Sequence, residues 1–206
     1  MDAIWHEDSR VRFIHIDPFM RRLELEPANL KAMRHVQKFN DVVRFEAWDM
    51  LCGKKYPELG GDPKYLDIIG MNYYFHNQEF VISKGNKSIS HRAMEWDSKY
   101  RIPFWKMVKD VWDRYKKPIV ISETGSFGDL RSDWWERTLK EISYGLKNNL
   151  PIYGVCAYPT VDRPNHVNYL ERYSGLWDFL DDDIECRRIP HEKTIGIISK
   201  YIKNNN

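Results

Sequence analysis

Short runs of apolar residues alternate along this chain with longer segments whose apolar positions recur every three or four residues. Four of the runs have strand length: residues 12–17, 67–74, 118–123 and 152–158. Between and after them the helical period governs. Residues 27–51 read as a helical region ending near Gly53. Residues 103–115 form a helix with Pro103 in its first turn and Phe104, Val108, Val111 and Trp112 along one side. Residues 132–149 form another, opened by Ser132 as cap and carrying Trp135, Leu139, Ile142 and Leu146 on one face. A last helix over 191–203 carries Ile195, Ile198 and Ile202. Residues 75–102 are a polar excursion in which 80–83 and 88–91 flank Gly85-Asn86 as a small hairpin. There is no internal repeat.

Strand–helix alternation of this kind implies a parallel sheet with right-handed crossovers. Four βα units make half of a TIM (β/α)8 barrel, and a whole one needs about 250 residues. The expected fold is therefore α/β, one domain over residues 1–206 with the number of βα units found in half of such a barrel. Three arrangements satisfy that arithmetic: an open doubly wound sheet, a segment of a larger barrel, or two chains that complete each other.

Period-two alternation sorts each strand into two faces. The first sets Ile14 and Ile16 against Phe13, His15 and Asp17. The second sets Ile69, Met71 and Tyr73 against Gly70, Asn72 and Tyr74, and its apolar set should pack under helices. The third groups Ile119, Ile121 and Glu123 against Val120, Ser122 and Thr124, and the fourth aligns Gly154, Cys156 and Tyr158. Polar residues fall late on every strand, and parallel α/β folds place their active sites at that C-terminal end. Asp17, Asn72, Tyr74, Glu123 and Tyr158 should converge there.

Glu123 ends an otherwise apolar strand, where a carboxylate loses hydration unless partners replace it. It reads either as a catalytic carboxylate or as a capping or ion-paired glutamate. Tyr74 could hydrogen-bond it or fill the core, and Asn72 could contact sugar hydroxyls or serve a turn. Tyr158, before Pro159, is a stacking platform or plain packing. His15, Asp17, Arg131 and the Asp162-Arg163 pair are further ligand contacts in this reading. Ordinary packing and loop ion pairs are their alternative. His76 and His166 lie in loops and carry no spacing signal.

Composition narrows the class without naming it. The 32 basic and 30 acidic residues nearly balance and form no basic block, so no nucleic acid or anionic membrane is indicated as a partner. No apolar run is long enough to span a bilayer, and the acidic start lacks a secretory layout. Cys52, Cys156 and Cys186 are widely spaced and form no metal-ligand pattern, which fits a reduced, cytoplasmic compartment without metal or cofactor. The chain carries 8 Trp and 12 Tyr, side chains suited to stacking on sugar rings as well as to filling cores.

Asp67-Ile-Ile-Gly-Met-Asn-Tyr-Tyr74 resembles the Asp-x-(Ile/Leu)-Gly-(Ile/Leu)-Asn-Tyr-Tyr strand of glycoside hydrolase family 1, the β-glucosidases and 6-phospho-β-glucosidases. Pro118-Ile-Val-Ile-Ser-Glu-Thr-Gly125 is similar to that family's nucleophile strand. Residues 154–163 followed by Gly175-Leu-Trp177 are similar to its last strand and the segment after it. The resemblance runs from about residue 12 to 177 and implies the C-terminal half of the barrel, strands five to eight. It implies a retaining glycoside hydrolase acting on a carbohydrate. Glu123 would be the nucleophile, Tyr74 its hydrogen-bond donor, Asn72 a neighbouring motif residue, Tyr158 a replacement for a substrate-packing Trp, and Trp177 part of the substrate region. Thr124 stands in place of the family's Asn, and Arg163-Pro-Asn-His166 in place of its sugar-recognition segment.

One piece of that machinery is absent. The family's general acid/base glutamate follows an Asn, and no Asn-Glu pair occurs here. Retaining hydrolysis needs two carboxylates about 5–5.5 Å apart. The resemblance therefore implies that an N-terminal half-barrel, or self-association, completes the protein. Asp17 is the internal substitute. It lies two strands from Glu123, roughly 10 Å at about 4.8 Å per strand, a separation that suits an inverting pair. Two other functions compete: a non-catalytic carbohydrate-binding or scaffold protein derived from such a barrel, and a different α/β enzyme on an open sheet with a structural Glu123. No phosphate-binding Gly-rich loop points to a nucleotide.

Overall fold

A computed structural model describes residues 1–25, 29–84, 88–162, 173–179 and 187–205. Gly85-Asn86, residues 163–166 and Cys186 lie outside them. After a short helix α1 (Asp2–Glu7), strand β1 (Ile14–Pro18) opens the main sheet, and β2 (Arg21–Glu24) follows at once. The helical region expected over 27–51 is two helices, α2 (Leu30–Asp41) and α3 (Glu46–Leu51), joined by a 3-10 turn at Val43–Phe45. Asn29 caps α2 by accepting from the Ala32 N–H at 3.1 Å. The adjacent β-branched Val42 and Val43 mark the break, with Val42 already outside helical geometry.

Strand β3 (Ile68–Asn72) leads into the antiparallel hairpin β4 (Gln78–Lys84) and β5 (Ser88–Ala93). Helix α4 (Phe104–Tyr115), β6 (Ile119–Thr124), α5 (Leu130–Lys147) and β7 (Ile152–Ala157) complete the alternation. A two-stranded ribbon, β8 (Trp177–Phe179) with β9 (Arg188–Pro190), and helix α6 (Glu192–Asn205) close the described chain. Helix α5 begins two residues before Ser132. That residue does not cap it, because its hydroxyl is buried against Thr194 of α6 at 3.0 Å.

The main sheet runs β1-β3-β6-β7, all parallel, in chain order without reversal. A doubly wound sheet reverses its order at a switch point and is covered on both faces. Here helices cover one face. Ile69, Met71, Ile119 and Ile121 are completely buried on that side, against Trp48, Val108 and Ile142. On the opposite face Ile14 and Ile16 remain 47% and 55% exposed. This is the curved wall of a (β/α) barrel, four units of the eight. The excursion after β3 forms a second, outer sheet in which β2 pairs parallel with β4. Arg22 and Glu79 link those two strands through an ion pair at 2.5 Å.

Candidate active site

The C-terminal ends of β3, β6 and β7 meet around one cleft of about 530 Å³, lined by Tyr74, Phe75, His76, Glu123, Gly125, Ser126, Phe127, Tyr158, Pro159 and Ser174. Glu123 reaches this cleft through a break in its strand. Ile119 pairs with Ile69 and Val120 with Gly70, but the next partner pair is Asn72 with Glu123. Two steps along β3 therefore match three along β6. The β7 side shows the same excess, Ile121 opposite Val155 and then Thr124 opposite Ala157. One inserted residue of this kind is a β-bulge, which re-aims the side chains beyond it. Strict alternation would have sent Glu123 under the helices with Ile119 and Ile121. After the bulge Thr124 takes that position instead, fully buried, and its hydroxyl accepts from the Trp134 indole N–H at 3.0 Å.

On the cleft side the Tyr74 hydroxyl donates to Glu123 Oε2 at 2.8 Å. Asn72 pairs with Glu123 across the strands and accepts from the Ser122 hydroxyl at 2.7 Å, which fixes its carbonyl end and leaves the amide NH2 for other partners. The turn after β3 is pinned by Asn77, a buried residue whose side chain accepts from the Tyr74 backbone N–H at 2.7 Å and donates to the Phe19 carbonyl at 3.4 Å. The His76 ring lies parallel to the Tyr74 ring, centroids 5.4 Å apart. Burial, and then the nearby Arg101 cation, hold the His76 imidazole below its ordinary pKa, so it favours the neutral form. Gly125 is needed for a close approach: a Cβ there would sit 2.3 Å from the Tyr158 carbonyl oxygen. Tyr158 lines the far wall, 40% exposed.

Several residues expected at the cleft are elsewhere. His15 and Asp17 pair in register with Ile69 and Met71 and so lie on the helix-covered face of the sheet. Trp48 donates to the His15 carbonyl at 3.1 Å, and burial alone pushes the Asp17 carboxyl upward. Asp17 is therefore no partner for Glu123 in an inverting pair. Asp162 is buried with its carboxylate filled by three backbone N–H groups, from Tyr173 and Ser174 at 2.8 Å and Gly175 at 2.7 Å. Arg131 is equally buried, bound to Asp178 at 2.5 Å and to the Gly175 carbonyl at 2.8 Å. Both brace residues 173–178, and Ser174 of that segment lines the cleft; neither Asp162 nor Arg131 is among the lining residues. Trp177 lies in β8, away from the cleft lining. Alternation alone could not reveal His76, Ser126 or Phe127, since they sit on loops rather than strands.

The cleft thus holds one carboxylate oriented by a phenol, with aromatic walls from Phe75, Phe127 and Tyr158, and Asn72 stands beside that carboxylate on the neighbouring strand. Among the described lining residues Glu123 is the sole carboxylate. No group of three or more metal-ligating side chains occurs among the described residues, and no described helix is long and apolar enough to cross a membrane.

A parallel half-barrel with a carboxylate at its mouth defines the architecture. Solved structures that match it include β-glucosidases. A family 1 β-glucosidase from Thermotoga maritima in complex with isofagomine lactam matches 99% of this chain with a TM-score of 0.77 at 16% identity. The β-glucosidase from Thermotoga maritima in complex with noeuromycin matches the whole chain with a TM-score of 0.73 at 16% identity. A hyperthermophilic β-glucosidase mutant matches 96% with a TM-score of 0.71 at 17% identity. The chain spans about half the length of these proteins, 53%, 53% and 45% respectively. At such identity the likeness establishes the fold. No protein-family model and no curated protein sequence matches the chain.

Proposed function

We propose that this chain is the C-terminal half-barrel of a family 1-like retaining glycoside hydrolase, one partial barrel domain with Glu123 as nucleophile. The supporting observation is the 2.8 Å hydrogen bond from Tyr74 to Glu123 at the bulged end of β6, in a fold shared with half of a β-glucosidase. A hydroxyl that donates to one carboxylate oxygen fixes the orientation of the group and leaves the other oxygen for the substrate. Glu123 attacks the anomeric carbon of a β-glycoside while the bond to the leaving oxygen breaks. An acid on a complementary half-barrel gives that oxygen its proton, and the same group then draws a proton from the water that displaces Glu123. Asn72 binds a sugar hydroxyl and Tyr158 stacks on the ring. The half-length match supports a missing acid-bearing half. The wide spacing of the three cysteines is the ground for reading the setting as reducing and cytoplasmic.

The test is covalent labelling with a 2-fluoro glycoside carrying a dinitrophenyl leaving group, which departs without an acid. A glycosyl adduct on Glu123 in the wild-type chain, lost in Glu123→Gln, is the expected result. A folded chain that binds sugar without forming the adduct would instead be a carbohydrate-binding or scaffold protein.

A further inference from the structure

Among the described residues the two outer strands of the main sheet are left open. β1 and β7 end the four-stranded order, and no described strand pairs with the far side of either. Along β1 the Phe13 carbonyl accepts from Ile68 and the Phe19 N–H donates to Asn72. Odd-numbered residues therefore bond to β3, and the N–H groups of Ile14 and Ile16 point out to the free edge. The concave face beside that edge is apolar: a Cβ on Gly70 would collide with Ile16 Cγ1 at 2.7 Å and Ile14 Cγ2 at 3.0 Å, so both isoleucines lie over it. At the other edge Tyr153 is 70% exposed.

An exposed parallel edge with an apolar face beside it is a template for another strand, and closure is the arrangement that leaves none. The partner that closes this sheet must offer four parallel strands in the same curvature, with one β1-like and one β7-like edge. A second copy of the chain meets that description. Its size matches the other half of the β-glucosidase barrels, of which this chain covers about half. A two-fold arrangement uses every edge once, β1 of each copy against β7 of the other, and two-fold contacts of one patch on itself are the commonest route to a closed oligomer.

We propose that, in the absence of a complementary half, two copies of this chain close into one eight-stranded barrel. The inference rests on the sheet and not on the glycosidase reading. Ile14, Ile16 and Cys156 turn inward and are covered, and the two Glu123 side chains face each other across a shared mouth, because the β6 strands stand four places apart around the ring.

Sedimentation equilibrium and small-angle scattering on the 206-residue chain test this. The expected result at micromolar concentration is a dimer with a radius of gyration near 22 Å, against about 17 Å for a compact monomer of this length. Alkylation of Cys156, exposed in the single chain, should slow roughly tenfold or more as the dimer forms, since the thiol is reached only through the monomer. The double variant Ile14→Glu, Ile16→Glu puts charges on positions already exposed in the monomer, so it should keep its circular dichroism and stay monomeric. Ile16→Pro, which deletes one outward N–H, is the second variant. A wild-type monomer with reactive Cys156 overturns the proposal. So do open-ended oligomers of growing mass, a dimer that both variants leave intact, or a chain that stays single until a different half-barrel is added.

Discussion

At the scale of single residues, the Tyr74 hydroxyl is the side-chain donor that orients Glu123. A hydrogen bond to a charged group contributes about 1.5–3 kcal/mol, and each 1.4 kcal/mol is about tenfold in rate or equilibrium. Tyr74→Phe should therefore slow glycosylation of Glu123 by the activated 2-fluoro glycoside roughly 10- to 100-fold. The ring and its stack on His76 remain, so the thermal midpoint should stay close to wild type. An unchanged labelling rate would remove Tyr74 from the mechanism. His76 adds a pH dependence of known sign. Burial holds its native pKa below the ordinary 6.5. The unfolded chain therefore binds the proton first on acidification. The contribution of neutral His76 is whole above about pH 6.5 and falls as pH drops towards the native value. Proton NMR titration of the ring should give a midpoint under 6.5, and His76→Phe should flatten that part of the stability curve.

At the scale of elements, the β6 bulge decides what Glu123 can do. The bulge is held by Thr124 under Trp134, a buried donor–acceptor pair. Thr124→Val keeps the shape and strands the indole N–H, which costs about 1–3 kcal/mol. Urea unfolding should show that loss, together with slower labelling of Glu123 as the strand end loosens. The seam between β1 and β3 has its own pH signature. Arg12 binds Asp67 with a 2.6 Å contact, and its guanidinium, with the Phe13 N–H, holds the carboxyl below its ordinary 3.8. That contribution is present above about pH 4 and is lost as pH falls through the lower native value. Asp67→Asn should cost under about 1 kcal/mol at neutral pH, because Arg12 is largely exposed, and should blunt the acid transition. How far such features were legible depends on the strand. On β3 alternation sorted the faces as found: Ile69, Met71 and Tyr73 are buried, Tyr74 lines the cleft and Asn72 stands beside Glu123. On β1 it placed His15 and Asp17 at the site, whereas Ile14 and Ile16 line the concave face. Parallel strands are apolar on both sides, so the apolar set does not say which side is covered. A bulge within Ser122-Glu123-Thr124 has no residue signature, and the charged run Arg21–Glu24 hides the strand β2.

For the whole molecule, four βα units and the Asn-Tyr-Tyr and Ser-Glu-Thr-Gly motifs were readable because each is local. Closure was not, since it depends on a partner for β1 and β7. The same incompleteness shapes the expected kinetics. Glu123 is the sole carboxylate among the described residues lining the cleft, so on the proposed reading the steps expected of this chain are those that need no second carboxylate. A dinitrophenyl β-glycoside needs no acid for its departure, and Glu123 should release one equivalent of dinitrophenol per site in a burst. Water attack on the glycosyl-enzyme needs a base, so turnover should then stall. Azide is anionic and needs no deprotonation. Added azide should restart turnover and yield the β-glycosyl azide, its configuration retained through two displacements. Steady turnover without azide would mean that an acid/base group lies within these 206 residues. The absence of any burst, in a chain that still binds sugar, would mean that Glu123 only marks the ancestry of a binding protein.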